Sequence, residues 1–349
     1  MLRDMTFNDL IHVQENKELV FIDVRSPSEY HESTIPGSIN IPLFDDKERA
    51  EIGTIYKQVS VQAAKDRGLE IVSAKLPAFI KEFSKIPGEK VVFCWRGGMR
   101  SKTSATVLDL MGIRTVRLQG GYNAYRKWVV NTLEKMDLKA DAYVLHGLTG
   151  TGKTAILLKL KEKGYPVLDL EGLANHRGSI FGQIGQIPNN QRTFDSLLVN
   201  ELLQWQENTP YVLMEAESKR VGKVMLPDLI MKKKEQGLQL IIELPFEVRV
   251  QHILEDYRPW EYQKECIEAF EKIKNRIHTP IAAEIESKLH QAEYGQAVSL
   301  LLEYYYDPRY SYTADQYSHN AKITIYANSI DEATAKVEKV LKEKLVITN

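Results

Sequence analysis

Cysteine is nearly absent from this chain: 349 residues hold two, Cys94 and Cys266. That is too few, and too far apart, for a disulfide framework or a CxxC-type metal site, so any thiol chemistry has to run on one cysteine alone. No run is long and apolar enough to span a bilayer, and Met1 to Val24 carries acidic and polar residues where a secretion signal needs an apolar core. A soluble, cytoplasmic protein without a membrane partner is the expectation. An excess of one charge sign is also missing, with 46 Lys and Arg against 47 Asp and Glu. Contact with nucleic acid would therefore depend on local patches rather than on net attraction. Internal repeats and low-complexity tracts are absent as well.

What is present is ordinary globular material, 43% hydrophobic, in a chain longer than one core usually organises. Two domains are expected. Strand-like runs Leu19–Val24, Val91–Phe93 and Thr115–Leu118 alternate with helix-like segments Leu76–Phe83 and Ser101–Met111, which predicts a parallel sheet with helices on its faces. The first domain is expected to close near Val130. The polar stretch 131–141 reads as a linker, and Ala142–His146 opens a second α/β domain running to residue 349. Further strands are expected at Val167–Leu170, Tyr211–Met214, Leu238–Leu244 and Ile323–Ala327, and helices at Thr193–Asn208 and Trp260–Arg276.

Cys94 follows the apolar strand directly, and Trp95-Arg96-Gly97-Gly98-Met99-Arg100-Ser101 leads from it into a helix. Amide N–H groups of such a loop converge on one point. The positive helix end, with Arg96 and Arg100, favours a thiolate and attracts an oxyanion. Cys94, Arg96 and Arg100 are the catalytic candidates. Cys266 shares a helical face with Phe270 and Ile273 and reads as core packing. Upstream, the run from Asp23-Val24-Arg25-Ser26-Pro27 through Ile35-Pro36-Gly37-Ser38-Ile39-Asn40 to Pro42 closely resembles the rhodanese signature. That resemblance implies a sulfur-carrying role for Cys94 and an organising role for Asp23, Arg25 and Glu29. The loop is one residue longer than usual for sulfurtransferases of this fold, and Cys94-x5-Arg100-Ser101 also fits the signature of rhodanese-fold phosphatases.

The second motif is Gly147-Leu148-Thr149-Gly150-Thr151-Gly152-Lys153-Thr154, which satisfies GxxxxGK[ST] between a strand and an apolar-periodic helix. In such a loop Gly147, Thr149, Gly150, Thr151 and Gly152 offer backbone amides to a di- or triphosphate, Lys153 neutralises it, and Thr154 is the residue type that holds Mg²⁺. No standard Asp-ended Walker B strand follows. Glu215 is the leading metal-side candidate among Asp169, Glu171, Glu215 and Glu217, and His176, Arg177 and Ser179 form a glycine-bearing loop suited to phosphate contact or acid–base work.

The fold class is therefore α/β, with an N-terminal rhodanese-like parallel-sheet domain and a C-terminal P-loop NTPase-like domain. This pairing resembles the tRNA 2-selenouridine synthase family across essentially the full length. The resemblance is carried by Cys94–Ser101, Gly147–Thr154, Leu173–Gly182 and Tyr305-Tyr306-Asp307-Pro308-Arg309-Tyr310. It implies selenophosphate and geranyl diphosphate as co-substrates; no tightly bound cofactor is expected, and Thr154 is the candidate for holding Mg²⁺. It also implies as partners the tRNA anticodon loop with its wobble 2-thiouridine and an enzyme that supplies selenophosphate. RNA contact is expected from Lys232-Lys233-Lys234, from Lys272, Lys274 and Arg276, and from Tyr304, Tyr305, Tyr306, Tyr310 and Tyr312. The rival reading is a Cys-x5-Arg phosphatase with a regulatory nucleotide-binding domain.

Overall fold

The computed structural model describes residues 3–14, 17–205, 209–310 and 322–348. The chain divides into two compact units, Met1–Lys135 with Asp195–Val199, and Met136–Phe194 with Asn200–Asn349.

The first unit is built on five parallel strands, β1 (Arg3–Met5), β2 (Leu19–Asp23), β3 (Ile39–Asn40), β4 (Glu89–Phe93) and β5 (Thr115–Leu118), in the order β1-β5-β4-β2-β3. A central parallel strand is covered on both faces and so reads as a continuous apolar run. Strand β4 shows this, with Val91, Val92 and Phe93 fully buried and Cys94 directly after them. The helix Met99–Leu110 ends at Gly112, whose φ of +74° closes it. Leu76–Phe83 proves to be the last third of a longer helix, Val61–Ser84, which starts where the Ser60 hydroxyl accepts from the Ala63 amide at 3.0 Å. The helix before it, Asp46–Gln58, which the sequence reading did not single out, opens on an Asp45-x-x-Glu48 capping box. The expected close near Val130 falls inside the helix Gly121–Lys135, which continues because Leu133, one turn beyond the buried Val129, also faces the core. Most of the linker expected at 131–141 is thus helix, or the first residue of the next strand.

The second unit carries β6 (Asp141–Gly147), β7 (Val167–Leu168), β8 (Tyr211–Glu215), a two-stranded antiparallel hairpin of β9 (Arg220–Val221) and β10 (Val224–Met225), β11 (Leu238–Glu243) and β12 (Lys322–Tyr326). Five of these form a parallel sheet in the order β12-β11-β6-β8-β7. The chain visits one side of β6 through β7 and β8 and then crosses to β11 and β12. The carboxyl end of β6 therefore lies where the winding reverses, the place such sheets bind ligands. Strand β7 stops at Leu168 rather than Leu170 because the Asp169 carboxylate accepts from the Gly172 amide at 2.7 Å and caps the short helix Leu170–Ala174. Trp260–Arg276 resolves into a helix, Gln263–Glu271, and a 3₁₀ turn, Lys274–Arg276. Cys266 lies in the core there with Phe270 and Ile273, and burial pushes its thiol up to about 11. Among the described residues no helix is long and apolar enough to cross a membrane.

Candidate functional site

In the first unit the side chain of Cys94 is 3% exposed, at the end of β4, with its Sγ 3.2 Å from the Ser101 hydroxyl. The amides of residues 96–100 have no acceptor within the described protein, as expected for a loop opening a helix and holding its N–H groups for an anion. The loop is wedged against the start of the next helix. The Tyr122 amide donates to the Cys94 carbonyl at 2.8 Å, the Asn123 amide to the Trp95 carbonyl at 2.9 Å, and Arg117 to the Gly97 carbonyl at 2.9 Å. Gly121, at φ +60°, tolerates no side chain: a Cβ there would overlap the Cys94 carbonyl oxygen and stand 2.5 Å from the Gly97 nitrogen.

The two catalytic-candidate arginines are placed differently. Arg96 is exposed, beside the loop. Arg100 is half-buried, and both of its terminal nitrogens bond Glu29, the second at 3.1 Å. Burial lowers its pKa, but the charges of Glu29, Cys94 and Asp23 outweigh that and raise it. Glu29 thus orients an arginine that feels the Cys94 charge. Asp23 and Arg25 form a fully buried pair at 2.6 Å beneath the loop. Ser101 is the residue that sequence reasoning left without a role. Its hydroxyl lies within reach of both Sγ and the Gly98 carbonyl, the latter at 3.3 Å. Replacing Ser101 with alanine removes the hydroxyl that meets the Cys94 sulfur, a hydrogen bond worth on the order of 1.4 kcal/mol, or about tenfold in rate. Alkylation of Cys94 by iodoacetamide at neutral pH should slow by that factor; an unchanged rate in a folded variant would remove Ser101 from the chemistry.

In the second unit the loop after β6 lines a cavity of about 1070 Å³, with Gly147 to Thr154 on one wall. Gly150 shows why the glycines are needed. At φ +85°, its missing Cβ would sit 2.8 Å from both the Arg249 carbonyl and the Ile253 side chain. Lys153 donates to the Gly147 carbonyl at 3.1 Å, across the mouth of the loop, and the Thr151 hydroxyl donates to the Leu148 carbonyl at 2.9 Å. Leu148, Leu158, Ile241, Leu244 and Ile253 also line this cavity.

The carboxylates separate into two depths. Glu171 accepts from the Thr154 hydroxyl at 2.8 Å and lines the cavity with Glu217. Burial, then the neighbouring Glu217, push Glu171 up to about 8, against the pull of Thr154 and Lys153. Glu215, expected on the metal side, lies fully buried behind them and does not line the cavity. One oxygen accepts from the Leu170 amide at 3.0 Å, the other has no partner, and burial with Asp169 and Glu171 raises its pKa well above the usual range. A protonated Glu215 fits that setting. Among the described residues no three or more His, Cys, Asp or Glu side chains are arranged to hold a metal ion, and the hydroxyl of Thr154, the metal candidate, donates to Glu171.

The loop of His176, Arg177 and Ser179 borders the cavity but is tied into its walls. Arg177 bonds the Asp256 carboxylate and the Ile184 carbonyl and stacks 4.9 Å over the Tyr257 ring. Ser179 meets the Tyr257 hydroxyl at 3.1 Å. His176 accepts from the Gly178 amide at 3.2 Å, and burial, then Arg177, lower its pKa. Sequence reasoning missed Arg249. Buried on the helix Phe246–Tyr257, it donates to the Thr149 carbonyl at 2.9 Å and bonds both oxygens of Asp307 at 2.6 and 3.0 Å, tying the phosphate loop to the Tyr305–Tyr310 motif. No local pattern marks a residue one hundred positions from the loop it holds. His146 was also passed over. Its ring bonds Gln239, and burial, ahead of Lys153, Lys234 and Lys322, lowers it to about 4, so it is neutral at physiological pH.

Several expected RNA contacts are committed elsewhere. Lys234 is buried and donates to the Glu217 carbonyl at 2.7 Å, and Lys274 pairs with Glu286 at 2.6 Å. Tyr305 is buried under the Arg309 guanidinium at 3.7 Å, whereas Tyr304 is exposed. Tyr312 and the Tyr310 side chain lie outside the described residues.

Residues 6–127 match the rhodanese-like domain family, and residues 140–344 match the family described as the tRNA 2-selenouridine synthase AAA domain. A tRNA 2-selenouridine synthase of Shewanella piezotolerans is 32% identical over 328 residues, covering 84% of this chain and 88% of that one. One from Sulfurovum sp. is 31% identical over 354 residues, 92% and 94% of the two chains, and one from Bdellovibrio bacteriovorus is 30% identical over 337 residues, 84% and 88%. With a thiol loop, a phosphate loop and this resemblance spanning both units, the chain belongs to the tRNA 2-selenouridine synthase family.

Proposed function

We propose that this enzyme exchanges the sulfur of a wobble 2-thiouridine in tRNA for selenium, with selenophosphate and geranyl diphosphate as co-substrates. The observation that carries the reading is the cavity of the second unit, which a phosphate loop and several large apolar side chains line together. That combination suits the diphosphate and the prenyl chain of one molecule. In the first step the thiocarbonyl sulfur attacks the allylic C1, the C–O bond breaks, diphosphate leaves and N3 of the base gives up its proton. Lys153 and the loop amides hold the charge that develops on the leaving diphosphate, and the side chains of Leu158 and Ile253 border the chain. In the second step the selenium of selenophosphate bonds to C2 and the C–S bond breaks, with geranyl thiolate leaving and taking up a proton; water then cleaves the P–Se bond, releasing phosphate and leaving the selenium on C2. The Cys94 loop, with its free amides and Arg96, handles the chalcogen-phosphate donor.

The phosphatase reading is less well supported. It needs a carboxylic acid to protonate the leaving oxygen, and the carboxylates acting on Arg100 are engaged, Asp23 by Arg25 and Glu29 by Arg100 itself.

Nucleoside mass spectrometry of 2-thiouridine tRNA, incubated with the protein while each co-substrate is omitted in turn, tests the scheme. Cys94→Ala should accumulate S-geranyl-2-thiouridine without selenouridine, and Lys153→Ala should form neither. Geranylation that survives loss of Lys153 but not of Cys94 would overturn this division of labour.

A further inference from the structure

The chain as a whole is close to neutral, yet residues 218–234 hold six Lys and Arg against one acidic residue, Asp228. This segment begins on the cavity wall, at Ser218, and contains the β9–β10 hairpin and the helix Asp228–Gln236. The hairpin is held firmly for so short an element. Val221 and Val224 are fully buried, the Gln191 side chain bonds both the amide and the carbonyl of Met225 at 2.7 and 3.0 Å, and Gly222 packs on the His176 ring. The Leu226 amide closes its base on the Lys219 carbonyl at 2.8 Å.

The polar side of this pinned hairpin is cationic. Lys219 pairs with Asp228 at 3.0 Å, and Lys234 turns inward, but Arg220, Lys223, Lys232 and Lys233 make no close ion pair among the described residues, Lys232 only acting on Asp228 from a distance. Lysines elsewhere on the same unit are neutralised locally, such as Lys159 by Asp331 at 2.8 Å, Lys163 by Glu338 at 2.6 Å and Lys336 by Glu332 at 2.7 Å. Cations without close partners in one short segment repel one another, and an external polyanion relieves that repulsion by releasing its counterions.

We propose that the β9–β10 hairpin and the middle of the following helix form a docking surface for the phosphate backbone of tRNA, with Arg220, Lys223, Lys232 and Lys233 gripping it. The inference rests on the tRNA reading above and adds where the RNA is held: beside the rim formed by Glu217 and Ser218, so that a base next to the bound phosphates faces the phosphate-loop cavity. His176 acquires a purpose here as the support on which Gly222 rests.

The test is tRNA affinity as a function of salt, measured with 2-thiouridine tRNA and the full chain. Converting the four residues to glutamine should weaken binding at least tenfold near 0.1 M salt. It should also reduce the slope of log affinity against log salt by about 0.7–0.9 for each phosphate no longer neutralised, roughly 3 for the four together. Geranyl diphosphate binding, followed calorimetrically, should stay unchanged and report an intact fold. A control in which Lys159, Lys163 and Lys336 become glutamine should keep the parent affinity and slope. A quadruple variant that binds tRNA with the parent slope overturns the surface while leaving the enzymatic reading intact. A parent protein that binds no tRNA overturns both.

Discussion

Replacing Arg25 with alanine is expected to destabilise the first unit by about 3–5 kcal/mol, the usual consequence of breaking a buried ion pair from one side. Arg25 is 1% exposed. It bonds both oxygens of Asp23 at 2.6–3.0 Å and the Ser33 carbonyl at 2.6 Å, and its guanidinium lies 4.5 Å over the Tyr122 ring. Without it, the fully buried Asp23 keeps only Thr34 as a side-chain donor, at 2.9 Å. The damage should reach the cysteine loop, because Tyr122 also holds the Cys94 carbonyl. Urea unfolding should show a lower midpoint for this unit at an unchanged slope. Arg25→Met combined with Asp23→Leu should recover most of the loss, since an apolar pair leaves no charge uncompensated. A loss under about 1 kcal/mol for Arg25→Ala would mean that the pair carries no such weight.

Glu171 makes the second unit sensitive to pH in the opposite sense to an ordinary carboxylate. Its folded pKa, about 8, lies above the unfolded value of 4.5, so between these limits the native state binds more protons than the unfolded chain. The associated stabilisation is complete below the unfolded value and is lost as pH rises through the folded one. Stability of this unit should fall between about pH 4.5 and 8. Glu171→Gln should flatten that slope and raise stability at about pH 8.5 by on the order of a few kcal/mol, with Glu215 contributing the slope that remains. The same proton bears on ligand binding, because an ionised Glu171 beside Glu217 would repel a diphosphate. The KM for geranyl diphosphate should therefore climb above about pH 8 in the parent and much less in Glu171→Gln. Parallel stability and KM profiles for parent and variant across this range would show that Glu171 is not the titrating group.

Both proton and ion pair depend on approaches that no local pattern announces. The Cys94 loop and the Gly147–Thr154 loop were legible because each is contiguous, and a strand, a turn and a helix start are enough to place its amides. Domain class was legible for the same reason, through alternation of apolar runs with helical periods. Differences concentrated at element ends, where one side chain decides: Asp169 ends β7 by capping a helix, and Leu133 carries a helix into the expected linker. Roles assigned by residue type alone fared less evenly. Arg96 and Arg100 look equivalent in the sequence, yet one is exposed and the other is held by Glu29, 71 positions away.

Geometry written within eight consecutive residues, the thiol with its loop of amides and the phosphate-loop motif with its lysine, follows from the sequence because short-range geometry is imposed by backbone sterics and helix termini. Membership of the family follows from it too. The partners of those loops came only with the folded chain: Arg249 and Asp307 behind the phosphate loop, Glu171 on Thr154, Glu215 buried behind it, and the cationic hairpin seated on His176. These groups meet because sheet order brings together segments far apart in the chain. Their charge states then follow from how much water the packing leaves around them, and no stretch of sequence encodes that locally.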